Sequence, residues 1–189
     1  MSMLSLSGFC QESLNVEKRI FNKDSIASFS VGNLDGKETN IILSPKKMLV
    51  IAFLSPECPL SKNYSVKLED IQKKYSAEVD FIGIIPGSFD TADVAEFQNN
   101  YMSSWKLVRD TSLQLTHYLR GEVTPEVIVL SNKDGVLLYK GAIDDWMVSL
   151  GKSKNIVTKH YLDMAINNFL NNKPGIPFTK PVGCLINDI

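Results

Sequence analysis

The sequence is short of cysteine, of histidine, of long apolar runs and of net charge, and each shortage closes off a class of explanation. Its cysteines are Cys10, Cys58 and Cys184. An odd count at wide separation makes no disulfide scaffold and lacks the paired spacing of a zinc ribbon or finger. The two histidines, His117 and His160, form no His-X-X-X-His pair. With no glycine-rich phosphate loop either, the pattern predicts neither a metal site nor a bound cofactor. No apolar stretch nears the ~20 residues that span a bilayer. Lys plus Arg (20) against Asp plus Glu (21) leaves a net charge of −1. That balance gives no electrostatic case for nucleic acid or an anionic membrane as partner.

What is present is ordinary globular composition: 189 residues, 44% hydrophobic and 22% charged. One domain is expected at this length, with enough chain to bury a core unaided. Residues 1–25 form an N-terminal segment. Its first ten residues are small and apolar without a charged side chain. They read either as the remnant of a leader ending at Cys10 or as a frayed terminus. Residues 26–172 carry the domain. Residues 173–189 form an extended tail, because Pro174, Gly175, Pro177, Pro181 and Gly183 cannot continue a helix. Ile176, Phe178, Val182, Leu185 and Ile186 give that tail something to pack.

Within the domain, Ile26 to Val31 reads as a strand, followed by a hairpin turn at Asn33–Lys37 with the Asp35-Gly36 signal. Met48 to Leu54 is a continuous apolar run, as in a strand covered on both faces. Leu60, Tyr64, Leu68, Ile71 and Tyr75 then repeat on one helical face. Val79 to Ile85 is a second apolar strand. A helix capped by Asp90 or Thr91 follows, with Val94, Phe97 and Tyr101 inward. Trp105 to Val108 reads as a strand and Ser112 to Leu119 as a short helix, with Gly121 in the C′ place. Glu126–Leu130 and Val136–Tyr139 make a hairpin across Asn132–Gly135. A last helix spans about residues 156–171, with Val157, Tyr161, Met164, Ala165 and Asn168 on one stripe. The order β-β-α-β-α-β-α-β-β-α predicts an α/β fold, with a central mixed sheet, helices on both faces and an N-terminal β-hairpin.

The chemistry concentrates at Ser55-Pro56-Glu57-Cys58-Pro59-Leu60-Ser61. A cysteine placed after a buried strand and at a helix start meets free N–H groups and the positive end of the helix dipole, which favour the thiolate. The thiolate is the nucleophile in disulfide exchange and in peroxide reduction. Pro59 fits the first helical turn, while the Glu57 carboxylate opposes the thiolate charge. The histidines read as surface or half-buried helix residues. Asp144, Asp145 and Trp146 read as structural residues of an exposed loop.

Over roughly Ile26 to Asn171 the chain resembles the thioredoxin-fold superfamily, in its redoxin branch of alkyl hydroperoxide reductase/thiol-specific antioxidant relatives. The resemblance rests on the lead-in hairpin with Asp35-Gly36-Lys37, the strand-to-Cys58 junction and Val123-Thr124-Pro125 before a strand. The hairpin at Asn132–Gly135 and Tyr139-Lys140-Gly141 complete it. It implies that Cys58 takes the place of the first, nucleophilic cysteine of a Cys-X-X-Cys and that Ser61 stands where the second would be. It also implies that Thr124-Pro125 is a cis-proline loop lying against Cys58. Ser55, Pro56, Glu57, Pro59, Thr124 and Pro125 then border the substrate. Glu57 replaces the usual aromatic, and Ala52 the usual buried acid.

Ser61 forms no disulfide, although its hydroxyl can support the Cys58 thiolate. Resolution of a mixed disulfide then falls to an external thiol or to Cys184, which the tail is long enough to bring back; Cys184 otherwise stays an unpaired tail residue. The expected activity is thiol–disulfide exchange. Its partners would be a disulfide-containing protein or small molecule and a thiol reductant, with the oligomeric state open. Two alternatives stand beside it. One is a thiol-dependent peroxidase, for which Ser55 matches the motif serine, Ile51 misses the motif proline, and Arg109 or Arg120 would have to polarise the peroxide. The other is a redoxin fold that binds a partner without turnover. The sequence leaves the compartment open; the leader-like N-terminus points to a bacterial-type cell envelope or periplasm ahead of the cytoplasm.

Overall fold

The computed structural model describes residues 20–41 and 45–186, so Cys10 and the leader-like residues fall outside the described part. The first element is a helix, α1 (Lys23–Ser28), where the sequence pattern suggested a strand from Ile26. The Asn22 side chain accepts hydrogen bonds from the Asp24 and Ser25 N–H groups at 2.8 and 3.2 Å. That cap nucleates the turn and wins over the β-forming side chains behind it. The strand is left with β1 (Ser30–Gly32), which forms the expected hairpin with β2 (Glu38–Asn40) across a turn where Gly36 takes φ +81°.

The body runs β3 (Met48–Phe53), α2 (Pro59–Tyr75), β4 (Val79–Pro86), α3 (Thr91–Tyr101), β5 (Lys106–Asp110) and α4 (Gln114–Leu119). It continues through β6 (Val123–Thr124), β7 (Glu126–Ser131), β8 (Leu137–Gly141), the small hairpin β9 (Met147–Ser149) and β10 (Lys152–Ser153), and α5 (Tyr161–Leu170). A last strand, β11 (Cys184–Leu185), lies in the tail. Seven strands make the main sheet in the order β2-β1-β5-β4-β3-β7-β8. The β3-β4-β5 pairs are parallel and the rest antiparallel, which is the mixed sheet expected.

Helices cover both faces. Met48, Val50 and Ala52 of β3 join a core with residues of α2, α3 and α5, while Leu49, Ile51 and Phe53 join a second core with residues of α1 and α4. Every residue of β3 is buried, the state that its unbroken apolar run requires. On α2 the buried stripe is Leu60, Tyr64, Leu68, Ile71 and Tyr75, as its spacing implies.

Further details depart from the sequence pattern. Helix α5 begins at Tyr161 rather than near residue 156, and it buries Leu162, Ala165 and Ile166 while Met164 is exposed. The preceding residues are held elsewhere: the Thr158 and Lys159 N–H groups donate to the Asp145 carboxylate. On α3, Val94 and Phe97 face the core, but Tyr101 lies at the surface, stacked on Phe97 with the Lys62 ammonium 5.7 Å from its ring centre. The left-handed residue that ends α4 is Arg120 (φ +56°), not Gly121. Gly121 is present for space, because a Cβ there would come within 2.8 Å of the Phe53 ring.

Two opposite substitutions test that division of labour. Gly121→Ala is expected to overpack Phe53 and destabilise the protein by about 1–3 kcal/mol. Arg120→Gly relieves an unfavourable backbone angle and is expected to be neutral or stabilising by up to about 1 kcal/mol. Urea unfolding of both variants reads the signs.

Candidate active site

The end of β3 places Cys58. The Leu54 N–H donates to the Ile84 carbonyl at 2.9 Å, extending the parallel pairing by one residue. The chain then turns: the Cys58 N–H donates to the Ser55 carbonyl at 3.2 Å and the Glu57 N–H to Ser55 Oγ at 3.2 Å. Cys58 is the N-cap of α2, with Pro59 as the first helical residue. The unpaired N–H groups of a first helical turn therefore surround it, as the sequence position implied.

Across from this turn, Thr124-Pro125 is a cis peptide. The Cys58 Sγ lies 3.0 Å from the Thr124 carbonyl oxygen, within reach of an S–H in the dithiol form. Cys58 itself is only 1% exposed. Its sulfur is joined in a disulfide to Cys184, with 6.1 Å between the Cα atoms, inside the range that disulfide geometry allows.

The tail reaches this point by a defined path. The Thr179 N–H donates to the Lys140 carbonyl at 3.2 Å, and Thr179 Oγ1 accepts from the Ala142 N–H at 2.9 Å. Strand β11 then pairs antiparallel with β6, Cys184 opposite Thr124 and Leu185 opposite Val123. The Ile186 N–H donates to the Glu122 carbonyl at 3.1 Å. The disulfide forms one wall of an open cleft of about 390 Å³, with Ser55 and Glu57 beside it and the Pro86–Phe89 turn opposite.

Cys58, Cys184, Ser55, Glu57 and Thr124 are thus brought together. Pro56 is buried behind the turn and Pro59 is exposed on the helix, both outside the cleft wall. Pro125 borders a second, very small pocket with Tyr64, Asp144 and Val182. Ser61 is fully buried, and its hydroxyl accepts a hydrogen bond from the Ser55 N–H at 3.2 Å. The cleft is lined by neither Arg109 nor Arg120. Arg109 instead donates to Thr91 Oγ1 and the Phe89 carbonyl. No group of three potential metal ligands occurs among the described residues.

No family model and no curated protein matches the sequence. Solved structures do match. A hypothetical protein of Sinorhizobium meliloti superposes with a TM-score of 0.73 at 20% identity, over 85% of this chain and 91% of that one. A thioredoxin-like protein from Aeropyrum pernix gives a TM-score of 0.51 at 20% identity, over 62% of this chain and 83% of that one. The fold is thioredoxin-like. A secreted Mycobacterium tuberculosis disulfide oxidoreductase has the same fold, with a TM-score of 0.52 at 18% identity, over 60% of this chain and 83% of its own.

In this thioredoxin-like fold two polar clusters brace the cis-proline loop: Glu126 was not singled out from the sequence, whereas Asp144 and Asp145 were expected to be structural but exposed. Glu126 is 1% exposed; it accepts from the Glu122 N–H at 2.8 Å and pairs with Lys140 at 3.4 Å. Burial pushes its carboxyl above the usual range, against the pull of the Glu122 N–H and Lys140. An acid opening an apolar strand was the available signal. Asp144 and Asp145 are buried rather than exposed. Asp144 accepts from the Tyr64 hydroxyl (2.8 Å), the Lys67 ammonium (3.1 Å) and the Trp146 N–H (2.9 Å). Burial, then the Asp144 carboxylate, raises the Tyr64 hydroxyl far above its ordinary pKa. Hydrogen bonds from Lys154 and Thr158 hold the Asp145 carboxyl well below the carboxylate range. His117 and His160 are exposed, and His160 Nδ1 lies 3.0 Å from the Lys67 ammonium.

No helix among the described residues is long and apolar enough to cross a membrane.

The raised Glu126 pKa has a measurable sign. The folded chain holds that proton more tightly than the unfolded chain, so stability falls as pH rises from the ordinary glutamate range through the folded value. Glu126→Gln keeps an acceptor for the Glu122 N–H and removes that component. Melting temperature from pH 4 to pH 8 is expected to decline less steeply in the variant, whereas parallel curves would contradict the assignment.

Proposed function

We propose that this protein is a thiol–disulfide oxidoreductase in which Cys58 is the nucleophile and Cys184 the resolving thiol. The supporting observation is the disulfide that joins the helix-start Cys58 to the tail Cys184 beside Thr124-Pro125. In the dithiol form, the first turn of α2 favours the Cys58 thiolate. That thiolate attacks a substrate disulfide, forming a mixed disulfide and releasing one substrate thiolate, which takes a proton from water. Cys184 then gives up its proton and attacks the Cys58 sulfur. The Cys58–Cys184 disulfide forms and the second substrate thiol leaves. An external thiol reductant returns the two electrons; run in reverse, the same steps oxidise a substrate dithiol.

In this reading Cys184 does what the second cysteine of a Cys-X-X-Cys does, and Ser61 supports the site by holding the Ser55 turn. Ser55, Glu57 and Thr124 border the substrate, which is a disulfide-bearing protein or small molecule, while Pro56, Pro59 and Pro125 act only by shaping the turn, the helix start and the loop outside that cleft. Residues 26–172 form the catalytic domain and the tail 173–189 its resolving arm. A disulfide as a resting state suits an oxidising compartment, which favours the cell envelope over the cytoplasm. The Mycobacterium tuberculosis oxidoreductase that shares the fold is itself described as secreted.

Turnover with a disulfide substrate and a thiol reductant, set beside consumption of hydrogen peroxide, tests the proposal. Cys58→Ser is expected to reduce disulfide turnover to background. Cys184→Ser is expected to keep stoichiometric mixed-disulfide formation while slowing turnover by about tenfold or more. Peroxide consumption faster than disulfide turnover would favour the peroxidase alternative. Absence of both activities would favour the non-catalytic binding module.

A further inference from the structure

Resting on that reading, in which the cis-proline loop borders the substrate, we propose that the tail displays the sequence preference of that substrate groove. Residues 183–186 then mark the segment this groove accepts: a small residue, the reacting cysteine, a residue open to solvent, and an aliphatic residue.

Valence and access require the tail to yield its place. Cys58 is 1% exposed and sits against β6 and β11. Its sulfur carries one disulfide bond, so a mixed disulfide with a substrate cannot coexist with the bond to Cys184. A substrate cysteine must arrive where Cys184 now lies. The backbone there is a docking edge: β6 pairs with β11 antiparallel, and the Glu122 carbonyl takes the Ile186 N–H at 3.1 Å. Any extended chain in this register presents the residue opposite Thr124 to Cys58, because the Thr124 carbonyl oxygen lies 3.0 Å from Cys58 Sγ. Main-chain pairing of this kind supplies affinity, and the alternating side chains supply selectivity.

The selectivity is legible position by position. Gly183 is buried, and a Cβ there would come within 2.7 Å of the Thr124 carbonyl carbon. Only a very small residue fits before the cysteine. Leu185 is 75% exposed and places no demand. Ile186 is 9% exposed and joins the core under α1 and α4, so a charge there would be buried unpaired. In the exchange, the substrate sulfur bonds to Cys58 as its own disulfide breaks, and its partner thiolate takes a proton from water. The returning Cys184 then displaces the substrate as a thiol and regenerates β11.

The test uses the full chain with Cys10→Ser and Cys184→Ser, so that Cys58 is its only thiol. The probes are peptides copying residues 180–187 whose cysteine carries thionitrobenzoate, with release of the coloured thiol giving the rate. The copy and a version with lysine for the leucine are expected to react at similar rates. Versions with valine for the glycine or aspartate for the isoleucine are expected to react about tenfold or more slowly. Equal rates for all four peptides would overturn the proposal. Adding Gly183→Val to the protein is expected to raise the rate with the copied peptide several-fold, because the chain's own tail no longer competes; an unchanged rate would also overturn it. Ellman's reagent separates the two levels. If it fails to react with Cys58, the oxidoreductase reading falls and takes this one with it. If it reacts while the peptides are not discriminated, only the present inference falls.

Discussion

The burial of β3 on both faces is the constraint from which the site follows. Its six residues alternate between two apolar cores, and a strand of that kind is stable only between two covering layers. Helices α2, α3 and α5 supply one layer, and α1 and α4 the other. The chain therefore leaves β3 at its carboxyl end, where β4 turns away at Pro86-Gly87 and the antiparallel β7 begins just after the cis-proline. Crevices outside the carboxyl ends of sheet strands are where open α/β sheets bind ligands. Cys58 is set in that crevice by the short Ser55–Cys58 turn and the start of α2.

The tail completes the crevice and divides its behaviour by redox state. A disulfide spanning 126 residues restricts the unfolded chain by on the order of 5 kcal/mol in the chain-entropy account. Without it, the Cys184–Ile186 end of the tail is held by a few backbone hydrogen bonds, each worth about 0.5–1.5 kcal/mol net. Burial of Ile186 adds about 1.5–3 kcal/mol. A hold of a few kcal/mol, set against the cost of ordering the tail, leaves β11 displaceable once the disulfide opens. In the proposed cycle the oxidised chain is latched and the reduced chain exchanges its own strand for another.

Buried charge supports the loop that receives this strand. Glu126 fixes the Glu122 N–H from beneath while the Glu122 carbonyl holds Ile186 from above. Lys140, which pairs with Glu126, also donates to the Arg120 carbonyl, tying the end of α4 to the same network. On the other side of Pro125, Asp144 binds α2 through Tyr64 and Lys67. A buried carboxylate with several donors is costly to leave half paired, so both clusters favour one arrangement of the loops around Cys58.

Much of the fold was legible because it is written in short-range periodicity. The apolar run of β3, the helical stripe on α2 and the Asp35-Gly36 turn each declare their element within a few residues. Errors fell where a local polar contact outweighed propensity, as with the Asn22 cap on α1, or where a distant side chain claimed the backbone, as Asp145 does before α5. The Cys58 environment was readable for the same local reason: strand end, cysteine, proline and helix lie consecutively. Of its partners, the resemblance put Thr124-Pro125 against Cys58, while Cys184 stood open between resolver and unpaired tail residue. Glu126 and Asp144 carry no periodic signal, and a proline- and glycine-rich tail encodes no direction of its own. The sequence by itself determined the buried strand β3, the stripe that α2 buries and which thiol stands at a helix start. Only the tertiary structure decided that Cys184 meets that thiol in an antiparallel pair with Thr124, because contact across 126 residues depends on the path of the whole chain.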